Sequence, residues 1–193
     1  KSSAASDVYK RQVEDTLKIR EFIEQHHPRS AVLAGGGFIG VELMENLREL
    51  GIDVTVVQRP RQLLNPLDAD MAAFLHAKLR QKGVRLHLGC TVEGFAANGD
   101  RVNVLLKDEA PLTADMVVLA IGVTPDTGLA KAAGLELGIK GSILVNDRME
   151  TSAPDIYAVG DAVQVKHFVT GQDTLLSLAG PANKQGRIAA DNI

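Results

Sequence analysis

Ser30-Ala-Val-Leu-Ala-Gly-Gly-Gly-Phe-Ile-Gly-Val-Glu-Leu-Met-Glu-Asn-Leu-Arg-Glu-Leu-Gly51 is the stretch on which the fold turns. Its first five residues are a short apolar run, which suits a strand buried in a parallel sheet. Three glycines end that run. Residues 38–50 then place apolar side chains at helical spacing, and Gly51 is a natural stop for the helix. The segment therefore predicts strand, glycine-rich turn and helix, in that order.

The same alternation continues on both sides. Residues 13–26 carry Val13, Leu17, Ile19, Phe22 and Ile23 at helical spacing, and Pro28 closes the segment. Residues 52–57 are rich in β-branched side chains and predict a second strand. A helix is expected over 68–82, with Met71, Phe74, Leu75 and Leu79 on one stripe and Gly83 after it. Residues 84–88 predict a third strand. The period then changes to two: residues 91–97 and 101–107 flank Asn98-Gly99-Asp100, a hairpin between antiparallel strands. Residues 115–121 are again a continuous apolar strand, ending at Gly122. A short helix near 129–133, a strand near 143–145, a last strand at Tyr157-Ala-Val-Gly160 and a helix from 180 to 193 complete the pattern. This order predicts an α/β fold: a Rossmann-like doubly wound parallel sheet with an antiparallel β-hairpin insertion.

The glycine turn carries chemistry. Gly35, Gly37 and Gly40 fit G-x-G-x-x-G between a strand and a helix, the context in which that motif binds dinucleotides. Gly35 permits the tight turn, Gly37 lets a pyrophosphate approach the backbone, and Gly40 lets helix pack on strand. The helix N-terminus presents N–H donors and the positive end of its dipole to phosphate. The residue that would distinguish NAD from NADP lies at the end of the second strand. There the chain has Gln58, followed by Arg59 and Arg61. Glutamine can bond a ribose hydroxyl without repelling a 2′-phosphate, and either arginine could pair with such a phosphate or stand solvated. These residues leave NAD and NADP open.

Composition excludes other classes. Lysine and arginine number 21 against 24 acids, for a net charge of −3, and no basic run exceeds two residues; nucleic acid is not an expected partner. Only 4% of residues are aromatic, so base-stacking platforms are not expected either. No stretch approaches the roughly 18 apolar residues of a membrane span, and no signal peptide is visible. The expectation is a cytoplasmic protein without membrane contact. The single cysteine, Cys90, allows neither a disulfide framework nor an internal CxxC pair, and its place after a strand fits a buried hydrophobe rather than a nucleophile. The five histidines lack partners at metal-ligand spacing, so no metal site is expected. The chain begins at Lys1 and stops at Ile193 within a helical pattern. Residues 1–12 are read as a disordered or non-native leader, and the whole as a fragment.

Three further segments make a resemblance. Ala120-Ile-Gly-Val-Thr-Pro125 resembles the AxGxxP element of pyridine nucleotide–disulfide oxidoreductases, and Thr151-Ser-Ala-Pro-Asp-Ile-Tyr-Ala-Val-Gly-Asp161 resembles that family's second flavin motif. Leu178-Ala-Gly-Pro-Ala-Asn-Lys-Gln-Gly-Arg-Ile-Ala-Ala-Asp-Asn192 is similar to a segment of the coenzyme A-disulfide or persulfide reductase and NADH oxidase branch. The resemblance implies an NAD(P)H-binding domain over 13–146 and the C-terminal part of an FAD-binding domain over 147–193. It implies that Gly35, Gly37 and Gly40, with Ile39 between them, hold the NAD(P)H pyrophosphate. Phe38 would stand as an aromatic gate near the flavin, and Glu42 near the nicotinamide. Gly122 would let backbone pass close to nucleotide. Asp161 would accept from a ribityl hydroxyl of FAD beside Gly160, and Ala179 and Ala182 would present backbone to the isoalloxazine.

The implied activity is that of an FAD-dependent NAD(P)H oxidoreductase. Hydride passes from NAD(P)H to FAD and on to a thiol-based acceptor (disulfide or persulfide) or to oxygen. The redox cysteine is expected upstream of this chain, the full-length form is expected to be a homodimer, and the fragment is expected to be inactive. The resemblance also tilts the coenzyme toward NAD. Two other readings are a nucleotide-binding module without turnover and a ferredoxin-type flavoprotein reductase; residues 178–192 argue against the second.

Overall fold

The computed structural model describes residues 7–9 and 13–193. In chain order its strands and helices are β1 (Asp7–Tyr9), α1 (Val13–His26), β2 (Ser30–Ala34), α2 (Phe38–Glu49), β3 (Asp53–Gln58), α3 (Ala69–Gln81), β4 (Arg85–Leu88), β5 (Val92–Asn98), β6 (Arg101–Leu106), β7 (Leu112–Ala114) and β8 (Met116–Leu119). After these come α4 (Gly128–Ala132), β9 (Ile143–Leu144), β10 (Val163–Lys166), β11 (Asp173–Thr174) and α5 (Ala179–Asn192), with short 3-10 turns at Ile139–Gly141 and Gly160–Ala162. Two compact units divide the chain between Gly122 and Val123.

In the first unit five strands form a parallel sheet in the order β1-β8-β2-β3-β4. Alternation along each strand sorts side chains between two cores. Ala31, Leu33, Val54, Val56, Met116 and Val118 face α1, α2 and α3, where they meet Ile19, Leu43, Met44, Leu47 and Leu79. Val32, Ala34, Val57, Val117 and Leu119 face the other way, against Val102, Val104, Leu106 and Ala114. That second layer is a three-stranded antiparallel sheet, β5-β6-β7. The parallel sheet is therefore covered by helices on one face and by strands on the other, which explains why Ala31–Ala34 of β2 and all of β8 are apolar. Each fully buried Leu or Val in these layers contributes about 1.5–3 kcal/mol.

Several expectations are corrected. The insertion is larger than a hairpin: Leu112–Ala114 adds a third strand, and the apolar run expected over 115–121 starts as a strand only at Met116. Asp115 marks the step between the two sheets. On α3 the buried face is Ala72 and Leu79, with Leu75 packed behind, while Met71 and Phe74 of the expected stripe are exposed. Leu63, in the loop after β3, belongs to the same buried cluster as Leu79. Of the leader expected over 1–12, residues 1–6 and 10–12 lie outside the described residues, but Asp7–Tyr9 pairs in parallel with Val117–Leu119 at the sheet edge. Val and Tyr are strand formers, and β8 offers an unpaired edge to them.

The second unit has a small sheet in the order β11-β10-β9 and the helix α5. Ile143 and Leu144 pair with Val163 and Gln164, so the segment after Gly122 folds with the flavin-like motif. Tyr157 makes only an isolated bridge with Glu150; the strand expected at 157–160 begins instead at Val163, after the turn at Gly160–Ala162. Gly160 has φ +81, a left-handed conformation that breaks the extended run and favours glycine.

Candidate functional site

A cavity of about 640 Å³ opens at the C-terminal ends of β2, β3 and β8, the crevice where open α/β sheets place ligands. It is lined by residues 34–38 of the glycine turn, by residues 57–60 and 64–66 after β3, by residues 90–92 and by residues 120–122.

Each glycine of the turn has its own physical reason. Gly35 has φ +109, and a Cβ there would run into the carbonyl of Ala120 on the neighbouring strand. At Gly40 a Cβ would strike the carbonyl of Gly35, so its absence is what lets α2 start against β2. Gly36 is enclosed by Leu63 and Gln58. Gly37 differs: its φ of −77 and ψ of −170 suit any residue, yet a Cβ would meet no atom within 4 Å. The space beside Gly37 is open cavity. Gly37 is also the N-cap of α2, with no side-chain cap and no acid in the first turn. The first-turn amides of a helix lack intrahelical acceptors. An anion beside Gly37 would find these donors and the positive dipole end without competition from a carboxylate. The cradle fits a dinucleotide pyrophosphate.

The loop after β3 is stitched to this turn. Gln58 Oε1 accepts the Gly36 N–H at 2.9 Å, and Gly36 carbonyl accepts Leu64 N–H at 2.9 Å. Leu63 N–H donates to His76 Nε2 at 3.1 Å, which fixes that nitrogen unprotonated. Burial, and then the nearby Arg80, push the His76 pKa down, in keeping with a neutral acceptor. Cys90 is buried at the edge of the cavity, and burial followed by Glu109 raises its thiol pKa. A thiol held protonated is a poor nucleophile.

Of the sequence-derived candidates, Gly35, Gly37, Phe38, Gln58, Arg59 and Gly122 come together around the cavity. Ile39, Gly40 and Glu42 do not line it: Gly40 is buried in the strand–helix contact, and Glu42 is exposed on α2 with its carbonyl accepting from Asn46. Gly122 has φ +104 beside the exposed Ile121. Leu64, Asn65, Pro66, Thr91 and Val92 line the cavity without having been picked from the sequence. No motif marks them, because their place depends on how the loop after β3 folds back.

The other candidates lie in the second unit. Gly160, Asp161 and Ala182 meet where the turn at Gly160–Ala162 abuts α5. Ala182 Cβ stands 3.9 Å from where a Cβ on Gly160 would be. Gln185, buried on α5 and not expected, accepts the Gly160 N–H at 2.7 Å. Asp161 and Ala179 are exposed. Among the described residues no helix is long and apolar enough to cross a membrane.

Comparison with known proteins fits this geometry. A NADH oxidase of Methanocaldococcus jannaschii is 38% identical over 184 residues, covering 95% of this chain and 41% of that protein. Among solved structures, reduced Bacillus anthracis CoADR-RHD matches with TM-score 0.91 at 46% identity, over 98% of this chain and 34% of that one. The NAD-dependent persulfide reductase of A. fulgidus matches with TM-score 0.90 at 36% identity, over 96% of this chain and 34% of that one. The chain thus spans about two-fifths of the curated relative and a third of the solved chains. The family model described as pyridine nucleotide-disulphide oxidoreductase matches residues 4–186, a span that holds both groups of candidate residues. By that match, the chain belongs to the pyridine nucleotide-disulphide oxidoreductase family.

Proposed function

We propose that this chain is the NAD(P)H-binding part, with a portion of the FAD-binding part, of an FAD-dependent NAD(P)H oxidoreductase. The observation that carries the reading is the open space at Gly37, set against an uncapped and acid-free helix start. Residues up to Gly122 bind the dinucleotide, and residues from Val123 onward contribute to the flavin site. Gly35 and Gly40 hold strand and helix close enough for the first-turn amides to reach the pyrophosphate. Gln58 keeps the turn in shape, and Gly122 keeps the opposite wall free of side chain. In the second unit Gln185 fixes the Gly160 turn, which presents the Asp161 carboxylate to a ribityl hydroxyl. When bound, the two cofactors supply the hydride donor and acceptor, while the protein orients them.

The whole protein is proposed to hand electrons to a small-molecule disulfide, persulfide or oxygen, as a homodimer in the cytoplasm. Its similarity to a persulfide reductase and to a NADH oxidase supports that choice of acceptors. The test is calorimetric titration of the chain with NADH and with NADPH, repeated for Gly37→Val. The parent chain should bind, and the variant should lose binding while its melting midpoint moves by no more than about 2–4 °C, the shift of a 1 kcal/mol change. Unchanged affinity in the variant would remove the glycine turn from the site.

A further inference from the structure

We infer that His76 is a positioning residue for the dinucleotide, its uncharged ring latching the loop between β3 and α3 in the shape that lines the cavity. A protonated ring releases the loop and weakens the coenzyme. The inference rests on the dinucleotide reading above and assigns that site a pH-dependent support. His76 is half-buried on α3, on the side of Ala72 and Leu79. Its Nε2 accepts the N–H of the fully buried Leu63 at 3.1 Å. The next residue, Leu64, lines the cavity and donates its N–H to the Gly36 carbonyl at 2.9 Å. Consecutive amides therefore hold the loop, one to α3 and the other to the glycine turn.

Leu64 has φ +48, a left-handed backbone that bulky residues adopt only when their surroundings impose it. Here the flanking bonds impose it, and Asn65 and Pro66, which also line the cavity, follow directly from that turn. A ring with protons on both nitrogens has no acceptor. It sets donor against donor at Leu63 and strands a buried N–H, so the loop loses the constraint that keeps Leu64 strained. The other hydrogen-bonded rings described in this unit do not share the conflict. His26 faces the Phe22 carbonyl and His87 the Glu109 carboxylate, oxygen atoms that a protonated ring satisfies. Burial, and then Arg80 one helical turn on, hold the His76 pKa below the ordinary 6.5. Neither Arg59, Arg61 and Asp68 of the loop nor Arg85 and His87 of β4 shifts it. The latch is therefore closed at neutral pH and opens as pH falls through that depressed value, below 6.5.

Calorimetric titration of the intact chain with NAD+, from about pH 7.5 to about pH 5, tests the latch. NAD+ is stable in acid and has no group of its own that titrates there, and no Asp, Glu or His lines the cavity. The parent's affinity should fall by about fivefold or more over that range, the effect of one stranded buried N–H. His76→Gln keeps a neutral acceptor, so at neutral pH its affinity should stay within about fivefold of the parent's, and it should no longer depend on pH. Parent binding at about pH 6 should also release protons, because a site that prefers the uncharged ring must shed its proton. Titrations in buffers of different ionisation enthalpy read that release. A parental affinity level with pH, binding without proton release, or an unaltered pH profile in His76→Gln each overturns the inference and leaves the dinucleotide site standing. Absence of NAD+ binding at neutral pH also overturns it, and the NADH and NADPH titrations above decide whether the dinucleotide site falls with it. The proton count needs no variant, so it decides the matter even if His76→Gln misfolds.

Discussion

The carboxamide oxygen of Gln58 accepts the backbone N–H of Gly36 at 2.9 Å, tying the last residue of β3 to the middle of the glycine turn. Gly36 is buried, its carbonyl is taken by Leu64 N–H, and Leu63 leaves no room for a side chain. Replacing Gln58 with Leu strands that amide, at a cost of about 1–3 kcal/mol. NADH and NADPH affinities should fall by a common factor, since both share the turn. Paired titrations and a urea midpoint check this; a change in the ratio alone would assign Gln58 to the ribose instead.

Gly40 and Gly37 should separate stability from binding. A methyl at Gly40 meets the Gly35 carbonyl, so Gly40→Ala forces α2 away from β2 and should destabilise by about 1–3 kcal/mol, the usual penalty for overpacking. A methyl at Gly37 meets nothing. Gly37→Ala should therefore lower the urea midpoint less than Gly40→Ala, by no more than the N-cap preference for Gly over Ala, while weakening the coenzyme. Equal stabilities for the two variants would contradict the packing assigned to Gly40.

Asp115 should govern acid stability of the first unit. Burial raises its carboxyl pKa. Hydrogen bonds from Ser30 Oγ and the Arg29 and Ser30 amides, together with Arg101, outweigh that, and the net position is below the ordinary 3.8. With the folded value depressed, the unfolded chain takes up the proton first. The stabilisation is complete above the unfolded value of about 3.8 and is lost as pH falls through the folded value. Denaturant midpoints for the parent should therefore drop more steeply than those of Asp115→Asn as pH falls below about 3.8. Parallel curves would show that another group controls the acid limb.

In the second unit, Asp161 and Gln185 should behave oppositely. Asp161 is exposed and has no partner among the described residues, so Asp161→Ala should change this chain's stability by less than about 0.5 kcal/mol. In the complete enzyme the same change should cost FAD retention, read from absorbance after gel filtration; full flavin loading would end its proposed ribityl role. Gln185→Leu orphans the Gly160 N–H and should cost about 1–3 kcal/mol in this chain alone.

The residues that local periodicity and backbone chemistry control were legible from the sequence. The helix over residues 13–26 and the strand over residues 30–34 have the same bounds in sequence and structure. At Gly40 the missing Cβ acts on the Gly35 carbonyl, a neighbour that the G-x-G-x-x-G spacing itself brings within a turn; at Gly35 it acts on Ala120, a contact the spacing does not contain. What no local pattern contains is contact between distant segments. Leu112–Ala114 is a strand because β6 offers it an edge, and Gly160–Ala162 is a turn because Gly160 adopts a left-handed backbone against Gln185, 25 residues on. Met71 and Phe74 are exposed although the sequence put them on one stripe with Leu75 and Leu79. The coenzyme question had the same limit. The sequence brought Gln58 and Arg59 to the right place in the chain, but only the folded loop decided that Gln58 turns inward to Gly36 and leaves Arg59 at the rim, since the satisfaction of a buried N–H depends on a partner 22 residues away.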